Sequence, residues 1–142
     1  WLLIRGLRTL PARLERISRT TREVLAFLKQ HPRIESVNFP LDPEFPQYEL
    51  AKQQMSGACG LLSFYLKDQK RSDIVRFCES LEHIMMAVSW GGYESLLIPR
   101  CAGIREAGFD PTDPDHRLVR FYVGLEDADY LIRDLEQALA LS

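Results

Sequence analysis

Two segments in the later half of the chain hold residue types that could do chemistry together. The run Leu118, Val119, Arg120, Phe121, Tyr122, Val123 sets an arginine in the middle of an apolar stretch. The run Ser89, Trp90, Gly91, Gly92, Tyr93, Glu94, Ser95, Leu96 combines hydroxyls, aromatic rings and paired glycines. A guanidinium stays charged at any relevant pH, and its planar fork suits a carboxylate or a phosphate. Period-two alternation sends Val119, Phe121 and Val123 to one face of a strand and Leu118, Arg120 and Tyr122 to the other. Arg120 therefore needs an anionic partner, either a ligand carboxylate or an acidic side chain of the chain itself. Gly91 and Gly92 allow backbone angles and close approach that a side chain would block, which suits a turn lining a cleft. Trp90 and Tyr93 could wall such a cleft or simply pack. Glu94 could orient an arginine or cap a turn.

The elements that must position these residues can be read from periodicity. Leu7, Leu10, Leu14, Ile17, Val24 and Leu28 recur at helical spacing, which predicts one long amphipathic helix, with Pro11 in its first turn or at a kink, ending near Gln30 to Pro32. Ile34 to Phe39 reads as a short strand, Pro40 to Pro46 as a loop, and Tyr48 to Gln54 as a short helix. Gly60 to Leu66 is expected as a central strand buried on both sides or nearly so. Ser72 is expected to N-cap a helix with Ile74, Phe77, Cys78, Leu81 and Ile84 on one face. Brief strands are expected at Ala87 to Ser89 and Glu94 to Pro99, then mixed helix and loop from Cys101 to Arg117. Asp127 should cap a final helix with the stripe Leu131, Leu135, Ala138 and Leu139. The sum is an α+β fold, a small, largely antiparallel sheet with helices covering one face and a long N-terminal helix.

Composition limits what this arrangement can serve. With 142 residues, 46% of them hydrophobic, the chain can bury one core and is expected to form a single domain, residues 1–142. A net charge of −2 and a pI of 5.9 give no global field for nucleic acid. Arg5, Arg8, Arg13, Arg16, Arg19 and Arg22 alternate with apolar residues and read as a solvated helix face or a domain contact. Cys59, Cys78 and Cys101 match neither a disulfide framework nor a zinc spacing, and Cys78 reads as core filler. His31, His83 and His116 are scattered, so no metal site is expected. No apolar stretch approaches the ~18 residues needed to span a bilayer, and no signal peptide is visible. No membrane partner is expected, and a cytoplasmic location is the default.

The two opening segments also resemble paired motifs of the transsulfuration family, the pyridoxal-phosphate enzymes of cysteine and methionine metabolism. There a Ser-x-Gly-Gly-x-Glu-Ser segment precedes an Arg-x-x-(Val/Ile)-Gly-(Leu/Ile)-Glu segment by about thirty residues. The likeness extends through Trp1 to Leu10, Ala51 and Lys52, Gln54 to Gly57, and Gly60 to Phe64, and so covers the whole chain. Within the family, Ser-Trp-Gly-Gly-Tyr-Glu-Ser-Leu is most similar to bacterial cystathionine β-lyases. Tyr122 departs from the pattern, since many relatives carry a small or polar residue there.

The resemblance implies the C-terminal small domain of a larger fold-type I enzyme that binds pyridoxal 5'-phosphate mainly through an upstream domain absent from this chain. The chain opens at Trp1 with no initiator Met, and Lys29, Lys52, Lys67 and Lys70 read as exposed, outside any cofactor-linking context, so a fragment without catalytic residues, inactive alone, is expected. By resemblance Arg120 anchors the carboxylate of an amino-acid substrate, Ser89 lies beside it, and Trp90 joins in substrate binding. Gly91, Gly92 and Tyr93 line the pocket. The implied reaction is β-elimination from cystathionine, giving homocysteine, pyruvate and ammonia, in a homo-oligomer, commonly a tetramer. Cystathionine γ-synthase or γ-lyase chemistry is the alternative within the family. A non-catalytic carboxylate-binding or interaction domain is the alternative outside it.

Overall fold

Pro11 divides the opening helix. In the computed structural model, which describes residues 1–141, α1 (Leu2–Arg8) and α2 (Leu10–Gln30) meet at Thr9. Proline has no N–H to give to the preceding turn, and its ring crowds the carbonyl four residues back, so it is tolerated only at a helix start. The Thr9 N–H and hydroxyl instead both donate to the Gly6 carbonyl (3.3 and 3.2 Å), which also accepts from Arg13 Nη2 (2.9 Å). The long helix expected from periodicity is therefore α2, with Pro11 in its first turn as one of the two readings had it; Leu7 lies outside it on α1, and the expected end near Gln30 to Pro32 holds. The apolar stripe is buried only from Ile17 onward, and Leu7 remains 55% exposed.

The chain continues through β1 (Ile34–Asn38), α3 (Tyr48–Gln54), β2 (Leu61–Leu66), α4 (Arg71–Glu79), β3 (Met85–Met86), β4 (Leu96–Pro99), β5 (Leu118–Tyr122) and α5 (Ala128–Leu141). Three 3₁₀ turns, Arg100–Gly103, Glu106–Gly108 and Pro114–Arg117, fill the stretch before β5. The strands form one sheet in the order β1-β2-β5-β4-β3, antiparallel except for the β3–β4 pair.

Pleat alternation puts Leu62, Phe64 and Leu66 of β2 on the same face as Val119 and Phe121 of β5 and Leu97 of β4, all buried. This face packs under Val24 and Leu28 of α2, Ile74 and Phe77 of α4, and Leu131, Leu135, Ala138 and Leu139 of α5. Phe64 and Phe77 meet edge to face, 6.3 Å apart at 73°. Each such side chain contributes about 1.5–3 kcal/mol on leaving water. Cys78 lies in the same core, and burial pushes its thiol up to about 12.

The opposite face is largely open. Leu61 is 40% exposed, and Ser63 and Tyr65 are half-buried. The expectation that β2 would be buried on both sides is corrected: all the helices that cover the sheet lie on the other side. α4 also starts earlier than expected. Lys70 occupies the N-cap position with no side-chain cap, and Ser72 lies inside the helix. The start is tied down instead by Arg71, whose Nε donates to the Ile104 carbonyl (2.7 Å). Asp127 does cap α5, accepting from the Asp129 N–H (3.1 Å).

Candidate functional site

Arg120 lies on the open face between Ser63 of β2 and Ile98 of β4, its register partners on either side. Neither neighbour carries charge. Its Nη2 donates to the carbonyls of Val88 and, at 3.4 Å, Ser89. Among the described residues, no acidic side chain pairs with it, so the internal salt bridge that the sequence allowed is not formed. Two neutral carbonyls orient the guanidinium and leave its positive charge uncompensated.

These carbonyls exist at that place because β3 stops early. The strand expected at Ala87 to Ser89 is displaced to Met85–Met86, and the Ala87 N–H to the Leu97 carbonyl (3.1 Å) is the last rung. Beyond it the chain leaves the sheet, which frees Val88 and Ser89 to face Arg120. The next strand likewise begins at Leu96 rather than Glu94, since the residues between form a turn. Gly91 has φ +87°, and among the described residues it alone holds a positive φ, so the turn needs a residue without Cβ there. Gly92 has ordinary angles. Trp90 and Tyr93 are 63% and 75% exposed, so neither packs into this chain's core. No arginine pairs with Glu94 among the described residues.

A cleft of about 690 Å³ runs over the open face, and its lining includes Ser63, Val88, Ile98 and Arg120 with Arg100 further along. A second hollow of about 390 Å³ brings Trp90 and Gly91 together with Tyr122 and Cys59. Tyr122 is buried, and its hydroxyl donates to the Gly92 carbonyl (3.1 Å), with burial pushing the phenol above its ordinary value. The departure at Tyr122 thus bears on the turn and the second hollow. It does not stand in the cleft over Arg120.

Two residues to which the sequence assigned no role, Ser95 and Glu126, are joined in the structure. The Ser95 N–H and hydroxyl both donate to the Glu126 carboxylate (2.7 and 2.8 Å), and Ser95 Oγ accepts from the Gly124 N–H (2.8 Å). A side chain at Gly124 would overlap the Tyr93 carbonyl oxygen. The signal was present, since both residues close their motifs. Arg117 lies in neither motif and carries no such signal: it is buried, pairs with Glu35, and donates to the Leu66 carbonyl (2.8 Å).

A five-stranded sheet covered by helices on one face thus carries Arg120 on its open face, with the glycine turn beside it. Residues 1–140 match the model of the Cys/Met metabolism PLP-dependent enzyme family, and the chain belongs to that family. It is 39% identical to cystathionine gamma-lyase of Mus musculus over 98% of its length and 36% of the relative's. It is 36% identical to cystathionine beta-lyase MetC of Escherichia coli, over 99% of its length and 36% of the relative's. The crystal structure of the metY protein of Campylobacter jejuni, determined with a pyridoxyl-lysine monophosphate, superposes with a TM-score of 0.82. Their identity is 33%, covering 99% of this chain and 34% of that one. The chain thus spans about a third of the length of these relatives.

The family's cofactor is pyridoxal phosphate. The chain's own lysines do not converge on the cleft. Lys29 pairs with Asp42 (2.9 Å) and Glu44 (3.1 Å), Lys52 lies near Glu49 (3.5 Å), Lys67 donates to the Pro32 carbonyl (2.7 Å), and Lys70 precedes α4. All four are exposed, as expected. The described residues offer this cleft the guanidinium groups of Arg120 and Arg100 and no lysine. Among them no cluster of metal-ligating side chains occurs, and no helix is long and apolar enough to cross a membrane.

Proposed function

We propose that this chain is the C-terminal domain of a longer carbon–sulfur lyase, and that Arg120 holds the α-carboxylate of its amino-acid substrate. The observation that carries this reading is the guanidinium on the open sheet face, oriented by two backbone carbonyls and, among the described residues, matched by no acid. A fork so placed gains most from a bidentate carboxylate. Pyridoxal phosphate supplies an electron sink when bound, and holding the substrate by its carboxylate fixes which bond faces that sink. The chain's own part is binding and orientation, with none of its residues catalytic. Ser89 sits beside the fork through its carbonyl, and exposed Trp90 supplies an apolar wall. Gly91, Gly92 and Tyr93 complete the rim of the turn.

β-Elimination from cystathionine is the preferred chemistry, because Trp90 within Ser-Trp-Gly-Gly-Tyr-Glu-Ser-Leu matches the β-lyase form of the motif. γ-Lyase or γ-synthase chemistry is the competing reading, and relatives of both β and γ type match at comparable identity. A cytoplasmic homo-oligomer, tetrameric as the family commonly is, is part of the same proposal.

The test is steady-state turnover of L-cystathionine by the longer protein, with pyruvate and 2-oxobutyrate measured separately. Pyruvate release supports β chemistry, and 2-oxobutyrate moves the assignment to the γ type. Arg120→Ala should raise KM about 10- to 100-fold, the worth of a charge-assisted pair, and lower kcat as well. Arg120→Lys should recover only part, because an ammonium cannot fork. An unchanged kcat/KM in Arg120→Ala sinks the carboxylate assignment.

A further inference from the structure

Nothing on Arg120's own strand fixes where its fork points. Its guanidinium takes direction from the carbonyls of Val88 and Ser89, and these belong to a segment with little support of its own. Upstream that segment hangs from β3, a strand of two residues. Within it, Ser89, Trp90, Gly91 and Tyr93 are all exposed, so no apolar packing pins the turn.

The hold comes from the end of β5 and the residues just after it. The Tyr122 hydroxyl donates to the Gly92 carbonyl (3.1 Å), and the Leu125 N–H to the Tyr93 carbonyl (2.8 Å). Half-buried Glu126 takes both donors of Ser95, backbone and hydroxyl, and Ser95 Oγ in turn receives the Gly124 N–H. The three attachments fall on Gly92, Tyr93 and Ser95, one after another along the turn. Among the described residues no cation pairs with Glu126, so its carboxylate is spent on the turn. Charge-assisted bonds of this kind are about twice as strong as neutral ones.

The geometry points to Glu126 as a positioning residue for the carboxylate fork: it clamps Ser95 and thereby fixes the turn whose carbonyls aim Arg120. The inference rests on the reading of Arg120 as a carboxylate anchor. It adds that the anchor is built jointly by the strand and by an acid six residues further along that never touches substrate. A small misplacement of a binding group can cost up to about a hundredfold in rate, so a loosened turn is felt at the substrate although the fold survives.

The test uses Glu126→Ala, the near-isosteric Glu126→Gln and Ser95→Ala in the longer protein, with two readouts. Amide exchange read by mass spectrometry over the peptide covering residues 90–95 should speed up in all three variants, least in Glu126→Gln, which keeps one acceptor. Peptides from α2 and α5 should be unchanged. With L-cystathionine, Glu126→Ala should raise KM about tenfold or more with a smaller change in kcat, and Glu126→Gln should recover part of the loss. Adding Glu126→Ala to Arg120→Ala should cost nothing further in KM, since Glu126 acts through Arg120.

A purely structural role would lower the active fraction and the thermal midpoint and leave KM unmoved, which overturns the proposal. Exchange over 90–95 as slow in Glu126→Gln and Ser95→Ala as in the parent also overturns it, even if Glu126→Ala fails to fold. If Arg120→Ala itself leaves KM unchanged, the anchor reading has failed. The exchange rates then still decide whether Glu126 clamps the turn.

Discussion

Asp134 is the acid on which the loop after α4 closes. It lies in the middle of α5, 2% exposed, and accepts from the backbone N–H groups of Glu82 (2.8 Å), His83 (3.0 Å) and Ile84 (2.9 Å), and from Gln137 Nε2 (3.1 Å). Burial pushes its carboxyl up, but the three backbone donors and Gln137 together outweigh that and hold it below its ordinary value. Its contribution is therefore fully present above the ordinary carboxylate range and is lost as pH falls through the lowered folded value. Asp134→Asn should cost about 1–3 kcal/mol near neutrality, because an amide meets three N–H groups with one acceptor. Urea titrations should show that deficit shrinking below about pH 4. A deficit independent of pH would mean that the charge plays no part. No sequence pattern announced Asp134, since an acid between Arg133 and Leu135 reads as the wet side of a helix until the loop it serves is seen.

Among the elements, those whose chemistry is local were legible and those decided by a distant partner were not. The stripe of α5 and the bounds of α3 follow from residues within the segment, and the alternation of β5 put Arg120 on the correct face. The extent of β3 depends on where Leu97 stops pairing, and the open side of β2 depends on which face the helices choose. Neither is written in the strand itself. The turn before β4 was half legible: paired glycines announced it, but Glu126, which holds Ser95, lies beyond β5. Two glycines separate these cases experimentally. At Gly60, whose carbonyl accepts from the Val123 N–H (2.9 Å), a methyl group would overlap the Val123 carbonyl oxygen and lie 2.9 Å from Ile17 Cγ2. Gly60→Ala should therefore prise β2 from β5 and α2, costing about 2–3 kcal/mol in chemical denaturation. Gly91 has open space around it and only its φ to object, so Gly91→Ala should cost about 1–2 kcal/mol, the penalty of a left-handed backbone. Equal losses at the two sites would contradict the distinction.

For the molecule as a whole, the important contrast is between the core under the sheet and the apolar surface that the chain leaves outside. Trp1, Leu2, Leu3, Ile4 and Leu7 of the first turns are all exposed, α1 buries no residue, and Leu14 continues the strip onto α2. Arg5 lies over the Trp1 ring (4.8 Å), so even the cation here covers apolar surface. A contiguous exposed apolar strip is the kind of surface that marks contact with another protein. Because the core begins at Ile17, the strip adds little to the stability of the domain, and the two properties can be separated by mutation. The 142-residue chain alone should self-associate with rising concentration in sedimentation velocity. The pair Leu3→Glu and Leu7→Glu should abolish that association while shifting the chemical-denaturation midpoint by no more than a surface change does, about 0.5 kcal/mol. Loss of the folded state in the double variant would show instead that α1 belongs to the core and that its exposed leucines support the sheet through α2.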